Sequence, residues 1–127
     1  MELNMKTLVL LLLAAVVTAQ YEEDTYGTDH DDLDIVALVE DKDQFNSFVD
    51  CFIDEAPCDD VAETFKSVIP EAVLEACAKC TPAQKRIVRV FNESFKKKMP
   101  EKFQKFKNKY DPEEKYFDNF EAAVAAF

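Results

Sequence analysis

The sequence has no tryptophan, a single glycine (Gly27), a single histidine (His30) and, after its first nineteen residues, no long apolar run. Each shortage removes a class of protein. One glycine argues against a β-sandwich, whose many tight turns need it, and leaves no Gly-rich phosphate loop. His30 sits in an acidic stretch, so no Ser/His/Asp or Cys/His unit is suggested by spacing. Carboxylate pairs are plentiful, but they fall on the polar faces and caps of predicted helices. No enzyme class is supported, and no cofactor or metal is expected. A bilayer span needs roughly 20 apolar residues, so no stable membrane insertion is expected of the mature chain.

The net charge of −11 argues against nucleic-acid binding, which needs a positive field. The charge is unevenly placed. Residues 20–80 hold 18 acids and 3 bases, residues 82–115 hold 5 acids and 11 bases, and residues 116–127 add −2. The plain reading is a solvated surface with some attraction between the two parts. The lysine-rich stretch 96–109 also suits an anionic head group or membrane surface.

Residues 1–19 have the layout of a secretory signal peptide. Lys6 precedes an apolar run from Leu8 to Val17, with Val17 and Ala19 where a signal peptidase reads small residues. Cleavage after Ala19 predicts a secreted, extracellular protein beginning at Gln20. Residues 20–32 are polar and acidic, and are expected to form a flexible arm on which Tyr21 and Tyr26 are aromatic exceptions able to lie back on the body. Residues 33–127 then make one helical domain.

All four cysteines fall in one window, spaced Cys51-x6-Cys58-x18-Cys77-x2-Cys80. In an oxidising compartment four cysteines read as two disulfides rather than a zinc site or a redox pair. Three connectivities are open. Local geometry favours Cys77–Cys80, whose positions are three apart on a turn, and Cys51–Cys58, which closes across a turn containing Pro57. Such short loops pin corners and do not replace a core.

Helical periodicity runs through the rest of the chain and no strand alternation occurs, predicting an all-α fold of about six short helices. Asp34 caps a first helix carrying Ile35, Leu38 and Val39. A second, about Lys42 to Ile53, sets Phe45, Phe48, Val49 and Phe52 on one face. A third runs from Asp60 to Cys77, with Val61, Phe65, Val68, Ile69, Ala72, Val73 and Ala76 inward and Pro70 inside it, where a kink is expected. Thr81-Pro82 opens a fourth, to about Lys98, with Ile87, Val88, Phe91 and Phe95. Pro100 opens a fifth with Phe103 and Phe106, and Pro112 a sixth with Tyr116, Phe117, Phe120 and Val124. Asn92-Glu93-Ser94 matches the N-glycosylation sequon but lies in a predicted helix, which presents an acceptor poorly.

All eleven phenylalanines lie at or after Phe45. Most must fill the core. Rings interdigitate less completely than aliphatic side chains, so this surplus also leaves room for an apolar cavity that takes a lipophile by burial. From residues alone, a secreted carrier of apolar molecules and a secreted helical domain of other role stand level.

The cysteine spacing, with Phe48-Val49-Asp50-Cys51-Phe52-Ile53-Asp54, Ile69-Pro70-Glu71-Ala72, Cys77-Ala78-Lys79-Cys80 and Lys109-Tyr110-Asp111-Pro112, resembles the insect chemosensory proteins, also called OS-D-like. The resemblance covers roughly residues 26–120. It implies six helices around an apolar channel, neighbouring cysteines paired, and reversible binding of fatty-acyl, pheromone or odorant-like compounds in extracellular fluid. By position, Phe48 corresponds to the family's channel gate, usually a tyrosine. Phe103 stands where the family has tryptophan, His30 where it has tyrosine and Asp43 where it has arginine. The resulting expectation is a monomeric carrier whose partner is a small hydrophobic ligand, held among Phe45, Phe48, Phe52, Ile69, Val73, Ile87, Phe91, Phe103 and Phe106. Truncating Phe48 is expected to alter uptake more than stability. The competing expectation is a secreted signalling or developmental protein acting through a surface partner, supported by the charge split.

Overall fold

The computed structural model describes residues 24–127. The signal peptide, its cleavage site and Tyr21 lie outside the described residues. Among these residues all regular structure is helical, in six helices: α1 (Ile35–Glu40), α2 (Lys42–Phe52), α3 (Asp60–Leu74), α4 (Pro82–Lys98), α5 (Pro100–Tyr110) and α6 (Phe117–Val124).

Short polar side chains start four of the helices by taking up free backbone N–H groups. Ala37 N–H donates to Asp34 at 3.1 Å, Gln44 N–H to Asp41 at 3.1 Å, and Ala62 N–H to Asp59 at 2.7 Å. Thr81 and Gln84 bond reciprocally at the head of α4, where each backbone N–H meets the other's side chain. Asp41 serves two helices, since its own N–H also closes α1 on Ala37 O at 3.1 Å. Lys96, Lys97 and Lys98 end α4, where positive charge favours the helix dipole. Lys98 Nζ in addition donates to Val39 O at 2.8 Å, satisfying a carbonyl in the last turn of α1.

Two helices are shorter than periodicity predicts. Helix α3 stops at Leu74 rather than Cys77, because Ala76 (φ 53°) and Cys77 (φ 58°) turn left-handed. That turn brings Cys77 and Cys80 to a Cα separation of 5.0 Å for their disulfide, and lets Cys77 N–H donate back to Ala72 O at 2.8 Å. Left-handed backbone costs L-residues roughly 1–2 kcal/mol each, which the covalent closure holds in place. Helix α6 begins at Phe117 rather than Pro112. The reason is Asp111, a buried carboxylate that accepts N–H groups from Lys115 (2.9 Å), Tyr116 (3.1 Å) and Phe117 (2.9 Å). Those bonds gather residues 112–116 into a turn and leave Tyr116 exposed. Pro70 stays within α3, which continues past it for four residues. The second disulfide, Cys51–Cys58, ties the end of α2 to the loop before α3, again with a Cα separation of 5.0 Å.

Residues 20–32 were expected as a flexible arm, and from Tyr26 onward the structure differs. Tyr26 N–H donates to Lys79 O at 2.9 Å and Tyr26 OH to Glu71 at 2.9 Å. Asp31 accepts from Thr81 Oγ1 and Gln84 Nε2, both at 2.9 Å, and Gln84 Nε2 also donates to Gly27 O at 2.8 Å. Residues 26–33 are therefore a strap across the α3–α4 corner. Its anchors are single polar side chains, which hydrophobic periodicity does not register.

The closely packed helix pairs are α1–α2, α1–α4, α2–α3, α4–α5, α4–α6, α3–α5 and α3–α6. Helices α3 and α4 do not form such a pair, and the space between them matters below. The core is a continuous band of rings. Phe95, wholly buried, meets Phe103 at 5.1 Å, Phe106 at 5.4 Å and Phe91 at 5.7 Å, mostly edge-on, as ring quadrupoles favour.

The charge split is met in part within the fold, where three of the eleven bases of residues 82–115 pair with acids of residues 20–80. Lys66 and Lys109 both bond Asp54, Lys102 bonds Asp50 at 2.8 Å, Lys105 bonds Glu55 at 3.1 Å and Lys96 bonds Glu121. Lys102, Lys105 and Lys109 of α5 thus face the acidic end of α2 and the loop after it.

Candidate ligand-binding site

A cavity of about 210 Å³ lies between α3 and α4. One wall is α3, where Phe65, Val68, Ile69 and Ala72 recur at i, i+3, i+4 and i+7. The facing wall is α4, with Gln84, Ile87, Val88, Phe91 and Asn92. Phe48 and Phe52 of α2, Phe106 of α5 and Phe120 of α6 close the far side, and the strap residues Tyr26 to Leu33 border the opening. The interior is apolar and the opening polar, so a ligand would be held mainly by removing its hydrocarbon surface from water, at about 25 cal/mol per Å².

Of the nine residues predicted to hold a ligand, Phe48, Phe52, Ile69, Ile87, Phe91 and Phe106 line this cavity. Phe45, Val73 and Phe103 do not. Phe45 packs edge-on against Phe91 at 5.3 Å from the α1 side, beside a separate recess with Lys98 and Met99. Val73 is fully buried on another face of α3, and Phe103 lies between Phe95 and Phe117. All three carry the right apolar character; helix rotation decides that they meet other side chains instead of the void. Phe48 is only 4% exposed and packs on Phe52 at 6.0 Å. Its truncation is therefore expected to cost stability as well as to change uptake, which corrects the simpler expectation for a gate.

Several cavity residues were not anticipated from sequence. The strap residues Asp29, His30, Asp31 and Leu33 border the opening because of the hydrogen bonds that hold residues 26–33 in place. His30 stands 6.0 Å from Phe65, ring to ring. Asn92 is the more telling case. It shares the spacing Val88, Phe91, Asn92, Phe95, which sets it on the inward stripe of α4, and it is only 6% exposed. The acceptor side chain of its sequon is thus buried in the folded protein, where a glycan has no room. The signal was present in the spacing, but the sequon drew attention to the wrong property.

Ionisation at the site's margin follows from its partners. The Tyr26 phenol is pushed up, first by burial and then by its bond to Glu71, while the Glu71 carboxyl is pulled down by Tyr26 and then Lys79. Both remain in their usual forms near neutrality, so the strap's bond is stable there. All four cysteines are in disulfides, leaving no thiol nucleophile. Among the described residues no cluster of His, Cys, Asp and Glu is arranged to hold a metal, and no helix is long and apolar enough to cross a membrane.

The comparisons with known proteins agree with this architecture. A family model described as "Insect pheromone-binding family, A10/OS-D" matches residues 26–118. Ejaculatory bulb-specific protein 3 of Drosophila melanogaster is 28% identical over 123 residues, covering 94% of this chain and 93% of that protein. Allergen Tha p 1 of Thaumetopoea pityocampa is 29% identical over 122 residues, covering 93% and 97%. The matched segment includes both disulfides, the strap and every wall of the cavity except Phe120. This chain belongs to the insect pheromone-binding A10/OS-D family.

Proposed function

We propose that the protein is a secreted, monomeric carrier that reversibly binds one small lipophile and keeps it in solution in extracellular fluid. The observation that carries this reading is the apolar cavity between α3 and α4 in a chain of a pheromone-binding family. Its size sets limits. An apolar protein cavity of about 150 Å³ suffices for a benzene-sized guest, and pockets for larger drug-sized ligands begin near about 300 Å³. At about 210 Å³ the site suits a ring or medium chain as it stands. A longer fatty-acyl chain requires α3 and α4 to part, and neither disulfide joins those two helices directly. With nearly uniform apolar walls, discrimination between chain lengths should be modest, roughly 1–3 kcal/mol for each methylene that fits or does not.

Residues 1–19 support secretion as a signal peptide, and the two disulfides suit an oxidising compartment. A binding role suits the two hydroxyls that line the cavity, Thr64 and Ser67, each of which donates to a backbone carbonyl of α3. The surface-partner alternative rests on the charge split, of which ion pairs within the fold take up three of the eleven bases of residues 82–115. Reversing Lys96, Lys97 and Lys98 would be an ambiguous test of that alternative, since Lys96 and Lys98 bond within the fold.

Native mass spectrometry of the oxidised mature protein, mixed with medium-chain alcohols, esters and ketones, tests the carrier reading. One ligand bound per chain, displaced one-for-one by a competitor, is the expected result. A protein that stays empty across the set would overturn it. Tryptophan fluorescence offers no readout, because the chain has none.

A further inference from the structure

One polar group inside the cavity wall has no partner. Asn92 Nδ2 is buried and makes no hydrogen bond among the described residues, although its side chain lines the cavity. Buried polar groups are nearly always satisfied, and leaving one without a bond is destabilising. Its neighbours on α4, namely Val88, Phe91 and Phe95, are apolar and offer it nothing. The N–H₂ group gains a partner only if the carboxamide turns about its Cβ–Cγ bond toward the cavity that Asn92 lines.

We propose that Asn92 is the polar anchor of the site, and that the ligand is a neutral, mainly hydrocarbon molecule bearing one hydrogen-bond acceptor of the ketone, aldehyde or ester class. This rests on the carrier reading and deepens it. Turned toward the cavity, the carboxamide donates through Nδ2 to the ligand's carbonyl oxygen, while the chain lies along Ile69, Ile87 and Phe91. Charge decides against free fatty acids. No lysine or arginine lines the cavity, and two aspartates, Asp29 and Asp31, stand at its opening with His30 as the sole basic group. A carboxylate would enter past like charges and lose its hydration without a cationic partner, which is costly. A neutral carbonyl meets neither penalty. It also supplies orientation, since an otherwise uniform apolar cavity does not choose which end of a chain goes in first.

The test compares three probes of equal size, octane, methyl pentyl ketone and hexanoate, binding to the full oxidised protein and to Asn92→Leu at pH 8. Leucine keeps the branched shape, though it is larger, and removes the donor. Titration calorimetry should show that the substitution weakens ketone binding roughly tenfold relative to octane, or about 1.4 kcal/mol. Hexanoate should bind more weakly than the ketone to both proteins. The infrared carbonyl band of the bound ketone should lie below its position in hexane with the parent protein, and return upward with Asn92→Leu. If the variant fails to fold, that band in the parent protein decides alone. An unchanged ketone-to-octane ratio, or an unshifted band, means that Asn92 only holds a water, and the anchor fails while the carrier stands. Hexanoate binding as tightly as the ketone would overturn the exclusion of acids. If neither octane nor ketone binds the parent protein, the carrier reading falls and the anchor with it.

Discussion

Beneath α5 the interior is closed: Phe95 meets Phe103 at 5.1 Å, and Phe103 meets Phe117 at 5.5 Å. Between α3 and α4 similar rings, Phe65, Phe91 and Phe106, border about 210 Å³ of empty volume. The two regions draw on the same side-chain chemistry, and Phe91 and Phe106 belong to both. What separates them is the distance between the helices that carry the rings. Helices α5 and α6 pack against both α3 and α4, but α3 and α4 do not pack on each other, and the strap bonds to both across the gap. One half of the aromatic content therefore stabilises the fold while the other makes a container.

The sharpest way to break this contrast is to truncate one side chain from each region. Phe95→Ala should cost roughly 3–5 kcal/mol in denaturant unfolding, because it opens a void among four rings. Ile69→Ala, on the cavity wall and already short of contacts on one side, should cost under about 2 kcal/mol and change ligand affinity instead. Equal losses would mean that the two regions pack alike.

A smaller effect is expected at the corner that carries the strap. Cys77→Ser with Cys80→Ser opens a short loop, and by loop entropy should cost roughly 2 kcal/mol. Hydrogen exchange should quicken at Tyr26, whose N–H bonds Lys79, and leave α5 and α6 unchanged. Uniform quickening across all six helices would show that the two regions open together.

Acid should reach both regions. Lys109 and Lys66 hold the Asp54 carboxyl at about 2, against an ordinary 3.8, by direct hydrogen bonds. The unfolded chain then takes up protons before the folded one, so stability declines as pH falls, between about pH 4 and about pH 2. Glu71 loses its bonds to Tyr26 and Lys79 in the same direction at the cavity opening. At the other extreme, Tyr110 is pushed to about 12 by burial and then by the charge of Asp54. Its stabilising share is present below pH 10 and lost as pH rises toward about 12. Melting temperatures across pH check both signs, and a flat acid limb would remove Asp54 and Glu71 as stabilising groups.

The smallest effect belongs to the surface. Lys105→Ala removes an exposed pair with Glu55 and should cost no more than about 1 kcal/mol, less in high salt. A larger loss would show that the lysines of α5 do more than solvate and orient the closed region.

Much of this protein was legible from local pattern. Asp34, Asp41, Asp59 and Thr81 start helices because each side chain reaches backbone N–H groups within its own turn. The cysteine pairs close because their short separations leave little other geometry available. Other features depend on neighbours distant in sequence. Asp111 shortens α6, and Asp31 binds Thr81 and Gln84 fifty residues away, to hold the strap that periodicity read as a loose arm. Periodicity identified which face of a helix is apolar, so Phe45, Phe48, Val73 and Phe103 were all rightly placed inside. Whether an inward side chain then meets another ring or an open space depends on how far apart two helices stand. That distance is a property of the whole assembly, and it alone closed Phe103 between Phe95 and Phe117 and left Phe48 and Asn92 beside a void.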